Sequence, residues 1–408
     1  MFPDVYLFNP TCEYAVANGT VSWQPNRLLQ KMESDLATLT VFFSKPNDII
    51  LVKDFPSKKY IYSLENIGIT NRRFVTFKEA FSEKFQIAEK FNHLFPWGWS
   101  PAAHHILTPL KPNCSHTFKK GSNFQWIDEH KTMAGKYNSS KILETLLTRI
   151  SSDFLLPKEL IAKKCKSLEE IEIFLNKWGS LMVKAPWSAS GRGLQTITIN
   201  PIPPSINSRI LGLIKKQGFV MVEPFLQKKF DMAFQFKSKK GKISYIGTDF
   251  FQTDKKGRYQ GNYINGFPEN IKDLFSDILY FSYNSIIPGL IETLEKEGYA
   301  RNYEGYFGVD TLIYKDTEQN LRINPCLEIN LRFTMGLLSL FLQNHILQNK
   351  KGIFKIFYNP GKSFKVFTDE MLLKHPPKFK GNKLFSGYFP LTDSFNSSIY
   401  GAYLFINT

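Results

Sequence analysis

Asn324-Pro325-Cys326-Leu327-Glu328-Ile329-Asn330-Leu331-Arg332 alternates polar and apolar residues from Glu328 onward. A strand sends successive side chains to opposite faces, so Glu328, Asn330 and Arg332 share one face while Ile329 and Leu331 take the other. Upstream, the apolar run from Tyr306 to Tyr314 carries Asp310 and reads as the partner strand, with an extended turn at 315–320. Asp310 can then join the same polar face. Two carboxylates and a carboxamide are hard oxygen ligands, suited to magnesium ions that bridge phosphates. An arginine one step further suits a carboxylate or a transferring phosphoryl group, which it can hold through two parallel hydrogen bonds. A structural ion-pair cluster is the bland alternative, and two earlier segments weigh against it.

The first is Met182-Val183-Lys184-Ala185-Pro186-Trp187-Ser188-Ala189-Ser190-Gly191-Arg192-Gly193. A strand ends in a lysine, and a Ser/Gly loop with one arginine leads into a second strand from Gln195. Backbone N–H groups of such a loop can cradle phosphate oxygens, and glycines allow close approach. It is neither a Walker A loop nor a Rossmann fingerprint, because no helix follows it. A plain hairpin turn would read the same way. The second is Met221-Val222-Glu223-Pro224-Phe225-Leu226, a hydrophobic strand that delivers one acid to a proline-stiffened hinge. Such a carboxylate can accept from an adenine amino group, although a solvated Glu at a strand end fits equally well.

These three segments, in this order, resemble the ATP-grasp superfamily, and the Glu-x-Asn-x-Arg pattern is similar to that of its biotin-carboxylase-like members. The resemblance covers roughly residues 126 to 345. It implies an ATP-grasp fold of the α/β (α+β) class and an enzyme that binds ATP with two magnesium ions, for which manganese can substitute. It implies that Lys141 and Lys184 contact ATP phosphates, together with the loop residues Ser188, Ser190, Gly191 and Gly193. Glu223 and the backbone at Phe225 and Leu226 would hold adenine, and Asp231 the ribose. Asp310, Glu328 and Asn330 would be the metal ligands, while Arg332, Lys184 and Arg192 would act on the reacting groups. The 188–193 loop is poorer in glycine than the pattern, and neither a biotinyl Met-Lys-Met sequence nor a biotin-site signature is present.

The expected domains are an N-terminal open α/β domain (1–125), an ATP-grasp domain (126–350) with a lid at about 139–222, and a β-rich C-terminal extension (351–408). In the first, 4–8, 36–43 and 48–52 read as strands and 78–91 as an amphipathic helix. Ser139-Ser140 reads as the cap of a helix starting at Lys141, and Ser167 with Glu170 as a capping box. Residues 271–297 read as a helix. His104-His105 reads as a helix-surface pair, the Trp97-Gly98-Trp99 loop as a packed loop or a wall of the cleft, and Arg258, Asn262 and Tyr263 as weak substrate-side candidates.

Composition excludes several classes. With 43% hydrophobic and 15% aromatic residues, the 408-residue chain is a globular protein and not a disordered one. The longest apolar run, Met335 to Leu342, falls far short of the roughly 20 residues that span a bilayer, so no membrane partner is expected. Cys12, Cys114, Cys165 and Cys326 lack metal spacing and read as free thiols of a cytoplasmic protein. The net charge of +16 favours anionic partners, yet the lysines never run longer than pairs, and nucleic acid is not expected.

The function this implies is a carboxylate–amine ligase. It activates the carboxylate of a small molecule or peptide as an acyl phosphate and joins it to an amine, with release of ADP and phosphate. A homodimer is compatible with the resemblance. A non-catalytic ATP-binding module, or a scaffold for an acidic peptide or RNA, is the alternative from another class.

Overall fold

The computed structural model describes residues 2–188, 193–254, 257–267, 272–395 and 398–407. Its strands fall into three sheets. The first is parallel, built from β1 (Val5–Leu7), β2 (Ile49–Val52), β3 (Arg73–Thr76) and β4 (Leu94–Pro96) in the order β3-β2-β1-β4. Both of its faces are covered, as near-continuous apolar strands require. Val5, Leu7, Ile49 and Leu51 face one core, and Tyr6, Phe8, Ile50 and Val52 the other.

The second sheet, largely within the segment expected to be a lid, has four antiparallel strands: β5 (Lys163–Cys165), β6 (Leu181–Lys184), β7 (Leu194–Ile197) and β8 (Val220–Pro224). Helices Leu168–Trp178 and Pro204–Gln217 close its core on one side, with Ile171, Leu175, Val183, Ile210 and Val222 inside. That core is separate from the other two, so the lid is a packing unit of its own.

The third sheet has nine strands in the order β13-β12-β9-β10-β11-β14-β17-β16-β15. These are β9 (Gln227–Lys239), β10 (Lys242–Thr253), β11 (Tyr259–Ile264), β12 (Gly305–Lys315), β13 (Leu321–Asn330), β14 (Gly352–Tyr358), β15 (Lys378–Phe379), β16 (Leu384–Pro390) and β17 (Tyr400–Ile406). One face carries Met232, Phe234, Val309, Ile313 and Ile329 into the core beneath helix Ile287–Lys296. Alternation therefore presents Asp231, Gln235, Asp249, Asp310 and Glu328 to the opposite face.

Four elements differ from expectation. Residues 37–43 form a 3-10 helix, not a strand, although all seven are buried. Residues 78–91 break into helices Phe77–Ala80 and Glu83–Ala88, because Ser82 caps the second through Phe85 N. The helix expected from Lys141 starts at Lys136, with Gly135 in front of it. The C-terminal segment is no appendage: β14 pairs with β11, and Phe354, Leu384, Tyr400 and Leu404 share a core with Tyr6, Ile50 and Leu338. Among the described helices none is long and apolar enough to cross a membrane.

Gly401 ties this segment down, since a Cβ there would lie 2.3 Å from the Phe364 ring. Gly401→Ala should lower stability by about 1–3 kcal/mol through overpacking, read as a lower midpoint in urea with unchanged slope.

Candidate functional site

Helix Lys136–Arg149 lies along β13, the edge strand of the nine-stranded sheet. Ser139 Oγ accepts from Ile329 N at 3.0 Å, which satisfies an edge-strand donor and fixes the helix against the strand. That contact sets Lys136, one turn earlier, over Glu328. Their side chains form an ion pair, and Lys136 Nζ also donates to Ser188 O at 3.1 Å. Lys136 is only 6% exposed, which a lone ammonium could not sustain.

Lys141 is the lysine expected from the sequence, but it points elsewhere. Five residues on from Lys136 is about 140° round the helix. Lys141 is exposed, with its Nζ over the Tyr137 ring at 4.8 Å. Reading Ser139-Ser140 as a cap hid Lys136. The signal for it is the apolar spacing Ile142, Leu143, Leu146 and Leu147, whose inward stripe extends back through Ser139 to Lys136.

The lid repeats this pairing. On β6 and β8 the parity that buries Val183 and Val222 turns Lys184 and Glu223 toward the cleft, and they meet at 2.5 Å. Lys136, Ser140, Lys184, Met221, Glu223 and Cys326 line one narrow cavity of about 10 Å³ between lid and β13. Below Glu223, the Phe225 N–H donates to Ser180 O and the Leu226 C=O accepts from Lys228 N, at 3.1 and 2.8 Å. Half of the hinge backbone expected to face a ligand is thus already engaged. Asp231 stands on β9, where its Oδ2 takes bonds from Lys228 Nζ and Thr253 Oγ1, both at 2.7 Å.

Asp310 faces Glu328 directly across β12 and β13. Beyond this pair the register shifts: a single residue separates Asp310 from Leu312, but three separate Asn324 from Glu328. Pro325, which has no N–H to give the ladder, sits in this bulge. Arg322, before the bulge, is bonded to Asp316 at 2.8 Å. Burial, and next the neighbouring Glu328 carboxylate, push the Asp310 carboxyl up to about 7, against the Asn330 hydrogen bond and Arg332. Two facing carboxylates, with a carboxamide beside them, have the donor chemistry for a hard divalent cation. Among the described residues no group of three or more His, Cys, Asp or Glu could hold a metal, so other oxygens would have to complete its shell.

Arg332 is not on the strand, which ends at Asn330. Its guanidinium still reaches Asn330 Oδ1 at 2.8 Å, and it donates from Nε to Glu13 Oε1 at 2.9 Å and from Nη1 to Phe333 O at 3.1 Å. Glu13, in the first turn of helix Cys12–Asn18, was missed because nothing in its local sequence marks it. Gly98 makes the junction possible: a Cβ there would lie 2.3 Å from Cys12 Sγ and 3.0 Å from Arg332 Cβ. Trp97 and Trp99 flank it as buried packing residues. Asn262 belongs to a buried network in which it and Gln235 each donate to Asp249 at 2.7 Å. Arg258 pairs with Asp254 at the surface. His104 is buried, not a surface residue, and is bound to Lys111 at 2.8 Å, while His105 is exposed.

Ser188 and Gly193 frame the phosphate-loop candidate: Gly193 (φ +84°) returns its carbonyl to Ala185 N at 3.1 Å. Ser190, Gly191 and Arg192 lie outside the described residues.

The chain is similar over its whole length to 88% of a Campylobacter jejuni biotin carboxylase, solved as a β,γ-ATP complex, with TM-score 0.52 and 12% identity. It is similar over its whole length to 86% of the biotin carboxylase domain of Hydrogenobacter thermophilus 2-oxoglutarate carboxylase, solved with MgADP, ADP and bicarbonate, with TM-score 0.50 and 10% identity. The fold is the ATP-grasp fold. No family model matches the sequence, and no curated protein matches it.

Replacing Lys136 should leave Glu328 without its partner. Lys136→Met is expected to destabilise the protein by up to about 3 kcal/mol, whereas Lys141→Met should stay within about 0.5 kcal/mol of the parent, both measured by urea unfolding.

Proposed function

We propose that this chain is an ATP-dependent ligase that activates a substrate carboxylate as an acyl phosphate and joins it to an amine. The observation that carries this reading is the convergence of two buried lysines, Lys136 and Lys184, on one cavity, with Lys136 paired to the Glu328 that faces Asp310. Cations held ready for anionic oxygens, beside carboxylates held ready for a cation, are what a bound metal–polyphosphate needs. The two solved proteins of like fold carry nucleotides in their crystals, which agrees with it.

In this reading Lys136 and Lys184 take phosphate oxygens, with Ser188, Ser190, Gly191 and Gly193 along the loop. Lys141 has no part in it. Asp310, Glu328 and Asn330 hold magnesium, or manganese in its place. Bound there, the metal would neutralise charge developing on the phosphates. Glu223 faces the adenine, with the Phe225 C=O and Leu226 N–H as the hinge groups left for the purine edge, and Asp231 takes the ribose. The γ-phosphoryl group of ATP passes to the carboxylate with release of ADP, and the amine then attacks the carbonyl carbon of this acyl phosphate, a mixed anhydride, and expels inorganic phosphate. Arg332 uses three of its N–H groups on Glu13, Asn330 and Phe333, which leaves two to hold the substrate carboxylate beside the metal ligands. Arg192, outside the described residues, is assigned to the reacting groups with Arg332. The cleft is too narrow for a nucleotide as it stands, so entry requires the lid, with its separate core, to swing about the Pro224 hinge.

The test is a survey of amino acids, dicarboxylic acids and acidic peptides with hydroxylamine as the trapping amine. Carboxylate-dependent ADP release with hydroxamate formation is expected, and Glu328→Gln should lose it by at least about 100-fold (roughly 2.7 kcal/mol of barrier) with an unchanged circular dichroism spectrum. Release of AMP and pyrophosphate, or failure of the parent protein to bind Mg–ATP, would contradict the reading.

A further inference from the structure

On the outer side of the helix that carries Lys136, three aromatic rings form a row. Tyr137 and Phe219 meet edge to face with centroids 6.2 Å apart, and Phe219 and Trp187 do the same at 5.9 Å. Three lysines sit over this row. Lys131 Nζ lies 4.9 Å from the centre of Trp187, and Lys141 Nζ 4.8 Å from that of Tyr137. Lys164 Nζ lies between Phe219 and Tyr137, at 4.4 and 5.0 Å. Among the described residues no carboxylate forms an ion pair with any of the three. The buried lysines nearby, Lys136 and Lys184, do have such partners. The rings come from a helix, a strand lead-in and the phosphate-side loop, so the row is assembled by tertiary structure and not by a run of charge in the sequence.

Cation–π contact orients these ammonium groups and holds them at the surface without neutralising them. Lys215 and Lys216, both exposed, extend the same basic face at the end of helix Pro204–Gln217, whose Gln217 Oε1 accepts from Trp187 N at 3.1 Å. The row also adjoins the cleft. Tyr137 follows Lys136 in the chain and Trp187 precedes Ser188, and Lys136 Nζ donates to Ser188 O at 3.1 Å.

We propose that the lysines over the Tyr137–Phe219–Trp187 row dock an acidic polypeptide, and that this polypeptide carries the carboxylate the cleft activates. The second half rests on the ligase reading; the docking itself does not. A polypeptide rich in Asp and Glu fits better than single-stranded nucleic acid. Bases bind by stacking on open ring faces, whereas here the rings pack edge to face and lysines cover them. Flexible side-chain carboxylates need only the spaced positive charges. The net charge of +16 draws such a chain in, and the adjoining cleft consumes the same chemical group that the lysines attract.

The experiment uses the full chain and a fluorescein-labelled peptide of ten glutamates, read by fluorescence anisotropy at low and at physiological salt. Binding that weakens steeply with salt is expected. Lys131→Glu with Lys164→Glu should weaken it at least tenfold while Mg–ATP affinity changes less than twofold. The milder pair Lys131→Gln with Lys164→Gln, for use if charge reversal impairs folding, should weaken it at least threefold. No binding by the parent protein, or equal binding by the variants, would overturn the proposal. So would tighter binding of a ten-nucleotide oligo-dT that the same variants lose, because the face would then belong to nucleic acid. Failure of the parent protein to bind Mg–ATP, with peptide binding intact, would remove the ligase reading and leave the docking surface standing.

Discussion

A carboxylate at the floor of a cleft needs a positive partner or a proton, and the pairing of Glu328 with Lys136 answers that need. Much of the molecule's arrangement follows from it. Glu328 is on an edge strand, so the strand's outer side must be covered, and the helix that begins at Lys136 covers it through Ser139. Asp310 lies directly across from Glu328, and burial, followed by the Glu328 carboxylate, pushes its carboxyl up to about 7. The lid solves the same problem with Lys184 and Glu223. Two lysines thus stand where a cation and a phosphate chain would divide them from their acids. Binding in this account is an exchange of partners within the cleft and not the filling of a preformed hole.

The N-terminal domain enters the same electrostatic arrangement at one point. Glu13 holds Arg332 from the far side while Asn330 holds it from the near side. The three-way contact places an always-charged donor where helix Cys12–Asn18 meets the end of β13, beside the proposed metal ligands. Gly98 allows the close approach, and the buried Trp97 and Trp99 give it a rigid wall. The loop between two tryptophans therefore acts on the site through packing.

How much of this was legible in the sequence depends on the range of the interaction. The strand pair 306–314 and 321–329, the turn between them and the facing of Asp310 with Glu328 follow from period-two alternation, a local signal. The ATP-grasp fold is what the resemblance of three segments, in order, implies. Lys136 did not, because Ser139-Ser140 mimics a helix cap and hides the preceding turn. Residues 37–43 were misread because a fully buried 3-10 helix has the same apolar run as a buried strand. Glu13 and the ring row of Tyr137, Phe219 and Trp187 were invisible for a different reason: their partners lie tens to hundreds of residues away in the chain. The C-terminal strands looked like an extension for the same reason, since their pairing with β11 crosses nearly a hundred residues.

The central claim is that Lys136 and Lys184 are counter-ions of the cleft that pass to phosphate oxygens when nucleotide binds. A crystal structure of the protein with magnesium and a non-hydrolysable ATP analogue tests it most directly. The account predicts that Lys136 Nζ moves beyond about 4 Å from the Glu328 carboxylate, outside ion-pair range, and bonds a phosphate oxygen while Glu328 and Asp310 bind the metal. Nucleotide bound with the Lys136–Glu328 pair intact, or with Lys141 on the phosphates, would contradict it.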